Sequence, residues 1–204
     1  MPFNRDEESI GMVTVKRVSA QSYLENERVS PVKHEWYDGE VVAMSGASKA
    51  HNLIVGNLIT TLNNQPPLQS CDVYPSDMRV YMPYANAYVY PDVTVVCDEP
   101  IFMEGVFDTL LNPQVIFEVL SPSTAQHDQT HKLNGYRGIA SLNEYVLVET
   151  GTPHVVHYAR QAGAMGWSVM DFIGLDSVLQ LRSIGVNLLL RDVYRLVGLK
   201  GASS

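Results

Sequence analysis

The chain has 204 residues, and 22 acidic side chains against 14 basic ones give it a formal net charge of −8. With 46% hydrophobic and 18% charged residues, it holds enough apolar material to offset the entropy of folding, which excludes disorder and fits one domain over 1–204. No run approaches the ~20 apolar residues that cross a bilayer, and the negative charge excludes a protein that coats nucleic acid through a broad basic face.

The first residues, Met1-Pro-Phe-Asn-Arg-Asp-Glu-Glu8, are acidic and polar, unlike a targeting leader, so a cytoplasmic location is expected. Ser19-Ala-Gln-Ser-Tyr-Leu-Glu25 reads as a short helix with Ser19 as its N-cap. In His34-Glu-Trp-Tyr-Asp-Gly-Glu-Val-Val-Ala-Met44, the Asp38-Gly39 pair between two strand-like runs is a hairpin signal. Residues 48–63 form a helix, because His51, Ile54, Val55, Leu58 and Leu62 recur on one face. Pro66-Pro67 ends it. Two strands are expected next, 72–82 and 89–97, joined through Pro83–Ala87. Cys71 and Cys97 lie near them, and two such cysteines give neither a disulfide framework nor metal-ligand spacing.

Val115-Ile-Phe-Glu-Val-Leu120 is a nearly continuous apolar run, as in a central strand covered on both faces. A helix from Ser121 to about Gly138 follows, with Ser123 and Gln126 spaced as a capping box. Glu144–Glu149 is another strand, His154–Tyr158 and Trp167–Met170 a hairpin around Gly163, and Arg191–Val197 a short terminal helix. The order predicts a mixed-sheet α/β domain flanked by helices.

Glu118 is the sharpest anomaly. Strand side chains alternate, so Ile116 and Leu120 share its face. An ionised carboxylate there costs several kcal/mol unless it is paired or holds a cation. A structural lysine or contact with solvent would satisfy it; so would a metal. Asp92, in Tyr90-Pro-Asp-Val-Thr-Val-Val96, has a similar setting at the start of an apolar strand. Two carboxylates on neighbouring strands suit Mg²⁺, a hard ion that takes few protein oxygens besides water and phosphate. Asp128, Lys132 and Tyr136 are spaced i, i+4, i+8. An ordinary surface Asp–Lys pair explains that spacing, but Lys132 is also the nearest base in sequence to Glu118. His51 and Glu40 are accessory candidates: a histidine on an apolar stripe is commonly a core residue, and a turn glutamate is commonly solvated. The eleven tyrosines are able to stack on bases, although packing in strands is their usual role.

Tyr90-Pro-Asp92, Phe117-Glu-Val-Leu-Ser-Pro-Ser-Thr124, Asp128, Lys132, Tyr136 and Glu144-Tyr145 together resemble the Uma-type restriction endonuclease family of the PD-(D/E)XK nuclease superfamily. The likeness extends upstream through Glu35, Asp38-Gly39-Glu40, Met44, Ser45 and His51, and covers roughly 15–195. It implies a restriction endonuclease-like fold and hydrolysis of DNA phosphodiester bonds with Mg²⁺ or Mn²⁺. Asp92 and Glu118 would match the two acidic positions and bind the metal, and Lys132 would complete the catalytic set. One departure stands out: the superfamily lysine two positions after the second acid is here Leu120, so Lys132 must reach that point from the helix. A homodimer is expected, since relatives of the fold often pair and two sites cut a duplex most simply. The competing expectation is a nuclease-like fold kept for DNA or protein binding, which Leu120 and the acidic charge favour.

Overall fold

The turn at Asp38-Gly39 sets the first sheet. Strand β1 (His34–Tyr37) returns antiparallel as β2 (Glu40–Ala43), and both turn residues have positive φ, 43° at Asp38 and 101° at Gly39. That pair of left-handed residues matches the right-handed twist of the flanking strands. This is a computed structural model, and it describes residues 17–104, 108–120, 132–161 and 166–199. Ahead of the hairpin, α1 (Ala20–Glu27) starts as expected, with the Ser19 hydroxyl accepting from the Ser22 N–H. α2 (Lys49–Asn63) is capped by Ser48 and buries Ile54, Leu58 and Leu62, and Pro66–Leu68 follow as a single 3₁₀ turn.

Where two strands are expected between 72 and 97, the chain forms four: β3 (Asp72–Pro75), β4 (Arg79–Met82), β5 (Ala87–Val89) and β6 (Val93–Val96). The breaks fall at Pro75 and Pro91, which have no N–H to give a ladder. They also change the architecture. β3 pairs with β6 and β4 with β5, so the chain leaves one sheet at Pro75 and returns to it after Pro91. The mixed sheet expected from the sequence is built as two large sheets, each with parallel and antiparallel pairs, and a hairpin. One has the order β2-β1-β5-β4-β7, with β7 at Thr109–Leu110. The other has the order β11-β10-β9-β8-β6-β3. Its remaining members are β8 (Val115–Leu120), β9 (Glu144–Glu149), β10 (His154–Arg160) and β11 (Trp167–Ile173).

β8 is central, parallel to β9 and antiparallel to β6, and every residue in it is buried. On one face Val115, Phe117 and Val119 pack with α2 residues Ile54, Leu58 and Leu62. On the other, Ile116 and Leu120 join Tyr136, Tyr145, Val80 and Met82, which brings the two sheets together around one apolar cluster. The tyrosines serve packing as well: Tyr23, Trp36, Tyr81 and Tyr88 form a chain of ring contacts with centroids 4.8–6.2 Å apart.

Of the expected helix from Ser121, the described part is α3 (Leu133–Arg137); the Ser123–Gln126 capping box lies outside the described residues. The β10–β11 hairpin runs longer than expected, and a further hairpin of β12 (Val178–Leu181) and β13 (Val186–Leu189) precedes a terminal helix α4 of only four residues, Leu190–Val193. The reading of the cysteines is corrected. Cys71 and Cys97 form a disulfide, because the β3–β6 register pairs Asp72 with Val96 and so sets the next residues outward opposite each other. Among the described residues, no helix is long and apolar enough to cross a membrane.

Candidate active site at the junction of the two sheets

Asp92 occupies the crossing from β5 to β6. The β6–β8 register ends at Val93 opposite Phe117, so Asp92 and Glu118 each stand one residue beyond the last printed pair. The Asp92 carboxylate is fixed through Oδ2, which accepts the Val119 N–H at 2.7 Å and lies 3.1 Å from His51 Nε2. Nε2 is the ring nitrogen that meets the carboxylate, and Nδ1 is buried without a hydrogen-bond partner among the described residues. His51 stands in the first turn of α2, two residues after its start. The apolar stripe that suggested a core residue therefore delivers its ring to the carboxylate instead.

Glu118 is 4% exposed. Its Oε1 accepts from the Tyr136 hydroxyl at 2.8 Å and lies 3.1 Å from Lys132 Nζ. Lys132 immediately precedes α3 and Tyr136 is inside it, so the i, i+4 spacing puts both side chains on one carboxylate, as the helical pattern predicts. Burial and then the Glu118 charge push the Tyr136 phenol well above its ordinary pKa, which keeps it a neutral donor. Leu120 packs in the core, and the cation at this carboxylate comes from the helix side.

The same ammonium lies 3.0 Å from Oε1 of Glu35. This third carboxylate, 7% exposed, belongs to β1 and thus to the other sheet. It accepts from the Tyr37 hydroxyl at 2.6 Å and from the Tyr90 N–H at 3.2 Å. Tyr37 is held neutral by burial and by the Glu35 charge beside it. Glu35 was part of the resemblance but was not singled out as a site residue. Alternation in β1 gives it the face of Tyr37, opposite Trp36, and no local signal says that this face is covered. Glu40, by contrast, is exposed on β2, and its carboxylate makes no hydrogen bond or ion pair among the described residues. Asp128 lies outside the described residues.

The structure thus forms two groups, Asp92 with His51 and Glu118 with Lys132, Tyr136 and Glu35, joined through the β8 backbone where Asp92 accepts the amide of Val119, next to Glu118. Among the described residues, no group of three or more His, Cys, Asp or Glu is arranged as a ready metal cage. The donor set nevertheless fits Mg²⁺ or Mn²⁺, which typically take one or two carboxylates plus water. Asp92 Oδ1 accepts no hydrogen bond among the described residues, since both contacts are made by Oδ2, and the Val119 amide bound by Oδ2 adjoins Glu118 in the chain. Those two residues would hold the ion.

Comparison with known proteins follows this geometry. Residues 20–190 match the model of the Uma2 family, described as "Putative restriction endonuclease". The uncharacterized protein sll1609 of Synechocystis sp. (strain ATCC 27184 / PCC 6803 / Kazusa) is 32% identical over 169 residues, 83% of this chain and 95% of that protein. Protein slr1290 of the same organism is 31% identical over 179 residues, 88% of this chain and 92% of its own length. A crystal structure from Anabaena variabilis ATCC 29413, described as a putative nuclease belonging to DUF820, superposes with a TM-score of 0.65 at 17% identity, covering 81% of this chain and 91% of that one. At that identity the match shows a shared fold, the restriction endonuclease-like arrangement expected from the sequence. With its family model covering 20–190 and both relatives matched over nearly their whole length, the chain belongs to the Uma2 restriction endonuclease family.

Proposed function

We propose that the chain is a metal-dependent endonuclease that hydrolyses DNA phosphodiester bonds at Asp92, Glu118 and Lys132. The observation that carries this reading is the Lys132 ammonium 3.1 Å from Glu118, where a lysine from the strand would otherwise act. A bound Mg²⁺ or Mn²⁺ supplies charge that polarises the scissile phosphate and lowers the pKa of water. The chain's own residues do the positioning. Asp92, pinned by Val119 and His51, presents one oxygen; Glu118, held by Tyr136, presents the second carboxylate. Lys132 stabilises the negative charge that develops on the phosphate. Glu35 keeps the ammonium from swinging away. The molecule is read as one domain over 1–204.

The test is plasmid cleavage in Mg²⁺ or Mn²⁺. Wild-type protein is expected to nick or linearise DNA, and Glu118→Gln and Asp92→Asn to lose at least about 100-fold in rate, the usual scale for removing one electrostatic catalytic group. Cleavage undiminished in Glu118→Gln would refute this assignment. A second reading has its own support: Lys132 is shared between Glu35 and Glu118, so its charge is already compensated without phosphate. That arrangement suits a nuclease-like fold acting as a DNA- or protein-binding module. Metal-independent association with DNA, and no cleavage with any divalent ion, would favour it.

A further inference from the structure

We propose that the Cys71–Cys97 disulfide is a redox switch on the Asp92 site, acting through α2. The helix is held at its head, its middle and its tail, each time by a different kind of bond. At the head, His51 Nε2 lies 3.1 Å from Asp92, the residue before β6. Beyond the tail, turn bonds carry the chain to Cys71: Gln65 N–H donates to the Leu62 carbonyl, Leu68 to Gln65 and Cys71 to Leu68, at 2.9–3.0 Å. Cys71 is bonded in turn to Cys97, the residue after β6. Helix, turns, disulfide, strand and the histidine–carboxylate contact therefore close a ring. Inside it, Val93 and Val95 of β6 pack in one cluster with Ile54, Leu58 and Leu62 of α2.

Asn57 is the fixed point of the helix. It is buried, and its side-chain amide donates to the carbonyls of Val193 and Arg195 at 3.0 and 2.8 Å. His51 stands six residues before it and Asn63 six after, about 9 Å along the axis in each direction. Apolar contacts are non-directional and tolerate a small rotation. A helix released at its tail therefore rocks about Asn57 and carries His51 off Asp92.

Of the three holds, the disulfide is the one that a change of redox conditions opens. Cys71 and Cys97 are half-buried at the edge of the six-stranded sheet, within reach of a small dithiol. One thiolate of the dithiol attacks a sulfur of the pair, the S–S bond breaks and a mixed disulfide forms. The second thiolate then displaces the remaining cysteine. The dithiol leaves as a disulfide, and its two electrons and two protons stay on Cys71 and Cys97 as thiols. What then holds the tail is weak, since β3 has four residues, is paired on one side only and contains Pro75, which has no N–H. The change is reversible: the register of Asp72 with Val96 brings the two thiols back opposite each other for oxidation.

Dithiothreitol added to the purified full chain without denaturant is expected to release the thiols of Cys71 and Cys97. The Val119 amide then reads the coupling, because it shares Asp92 Oδ2 with His51. It is expected to exchange with deuterium faster after reduction, while the amides of β10, outside the ring, keep their rates. Cys71→Ser/Cys97→Ser is expected to match the reduced wild type and to ignore dithiothreitol. In plasmid cleavage, the reduced protein is expected to be about 10- to 100-fold slower, the scale of a misplaced catalytic group. That last readout rests on the endonuclease reading. An oxidised protein that shows the exchange change without cleaving would refute that reading and support the switch. Thiols that appear only in denaturant would overturn the switch, and so would a Val119 rate unaffected by reduction. A rise in the β10 rates equal to that of Val119 would overturn it too, since the bond would then serve overall stability alone.

Discussion

At the scale of single residues, the buried ammonium of Lys132 is the most exposed to test. It is shared by Glu35 and Glu118, all three being nearly inaccessible to water. Removing one partner of a buried ionic group typically costs about 3–5 kcal/mol, because the other charges stay behind. Lys132→Met is therefore expected to lower the urea midpoint by that scale, and Glu118→Gln/Lys132→Met to recover part of the loss. A single lysine variant as stable as wild type would mean that the network carries little weight. His154 gives a prediction in pH. Its pKa is raised above 6.5, chiefly by the hydrogen bond to Asp171, with burial opposing and Glu149 adding to the rise. A raised histidine contributes stability fully below the unfolded value and loses it as pH climbs through the folded value. Thermal stability should thus fall modestly as pH rises above about 6.5, and His154→Gln should flatten that slope. The effect is small, since Asp171 is half exposed and solvent screens the pair.

At the scale of elements, the disulfide ties β3 to β6 across 26 residues. Closing a loop of that size stabilises a chain by about 3–4 kcal/mol in the loop-entropy account. Cys71→Ala/Cys97→Ala, followed by chemical denaturation, should show a loss of that order. An unchanged midpoint would mean that the two strands hold without the link. How much was legible also varies by element. The Asp38-Gly39 hairpin, the Ser19 cap and the buried strand around Glu118 carry local signals, and each forms where expected. The split of 72–97 into four strands carried a local signal too, since Pro75 and Pro91 cannot donate. What no local signal showed was that the pieces join different sheets. The β12–β13 hairpin was readable in principle: Val178-Leu-Gln-Leu181 and Val186-Asn-Leu-Leu189 alternate in burial around Gly185, whose φ is +68°. Glu35 was not readable as a site residue. Its role depends on which sheet packs over β1, a long-range fact.

At the scale of the whole molecule, a net charge of −8 limits how DNA is held. Binding confined to a cleft, with a divalent ion offsetting the carboxylates, neutralises few phosphates. Each phosphate neutralised contributes about −0.9 to the slope of log affinity against log salt. A slope shallower than about −4 is expected by fluorescence anisotropy with Ca²⁺ in place of Mg²⁺. A slope near −10 would mean a broad basic face that the composition does not supply.

The crossing at Tyr90-Pro91-Asp92 has a dynamic consequence. Glu35 hangs from one sheet and accepts the Tyr90 amide, while Asp92 accepts the Val119 amide of the other. Lys132 joins the Glu35 side to Glu118. The two amide bonds each stay within one sheet, so Lys132 alone among these groups ties Glu35 of one sheet to Glu118 of the other, and the site is also a fastener. The Tyr90 amide, whose acceptor Glu35 is held by that tie, should exchange with deuterium faster in Lys132→Met. The Val119 amide, bonded to Asp92 within the other sheet, should keep its wild-type rate.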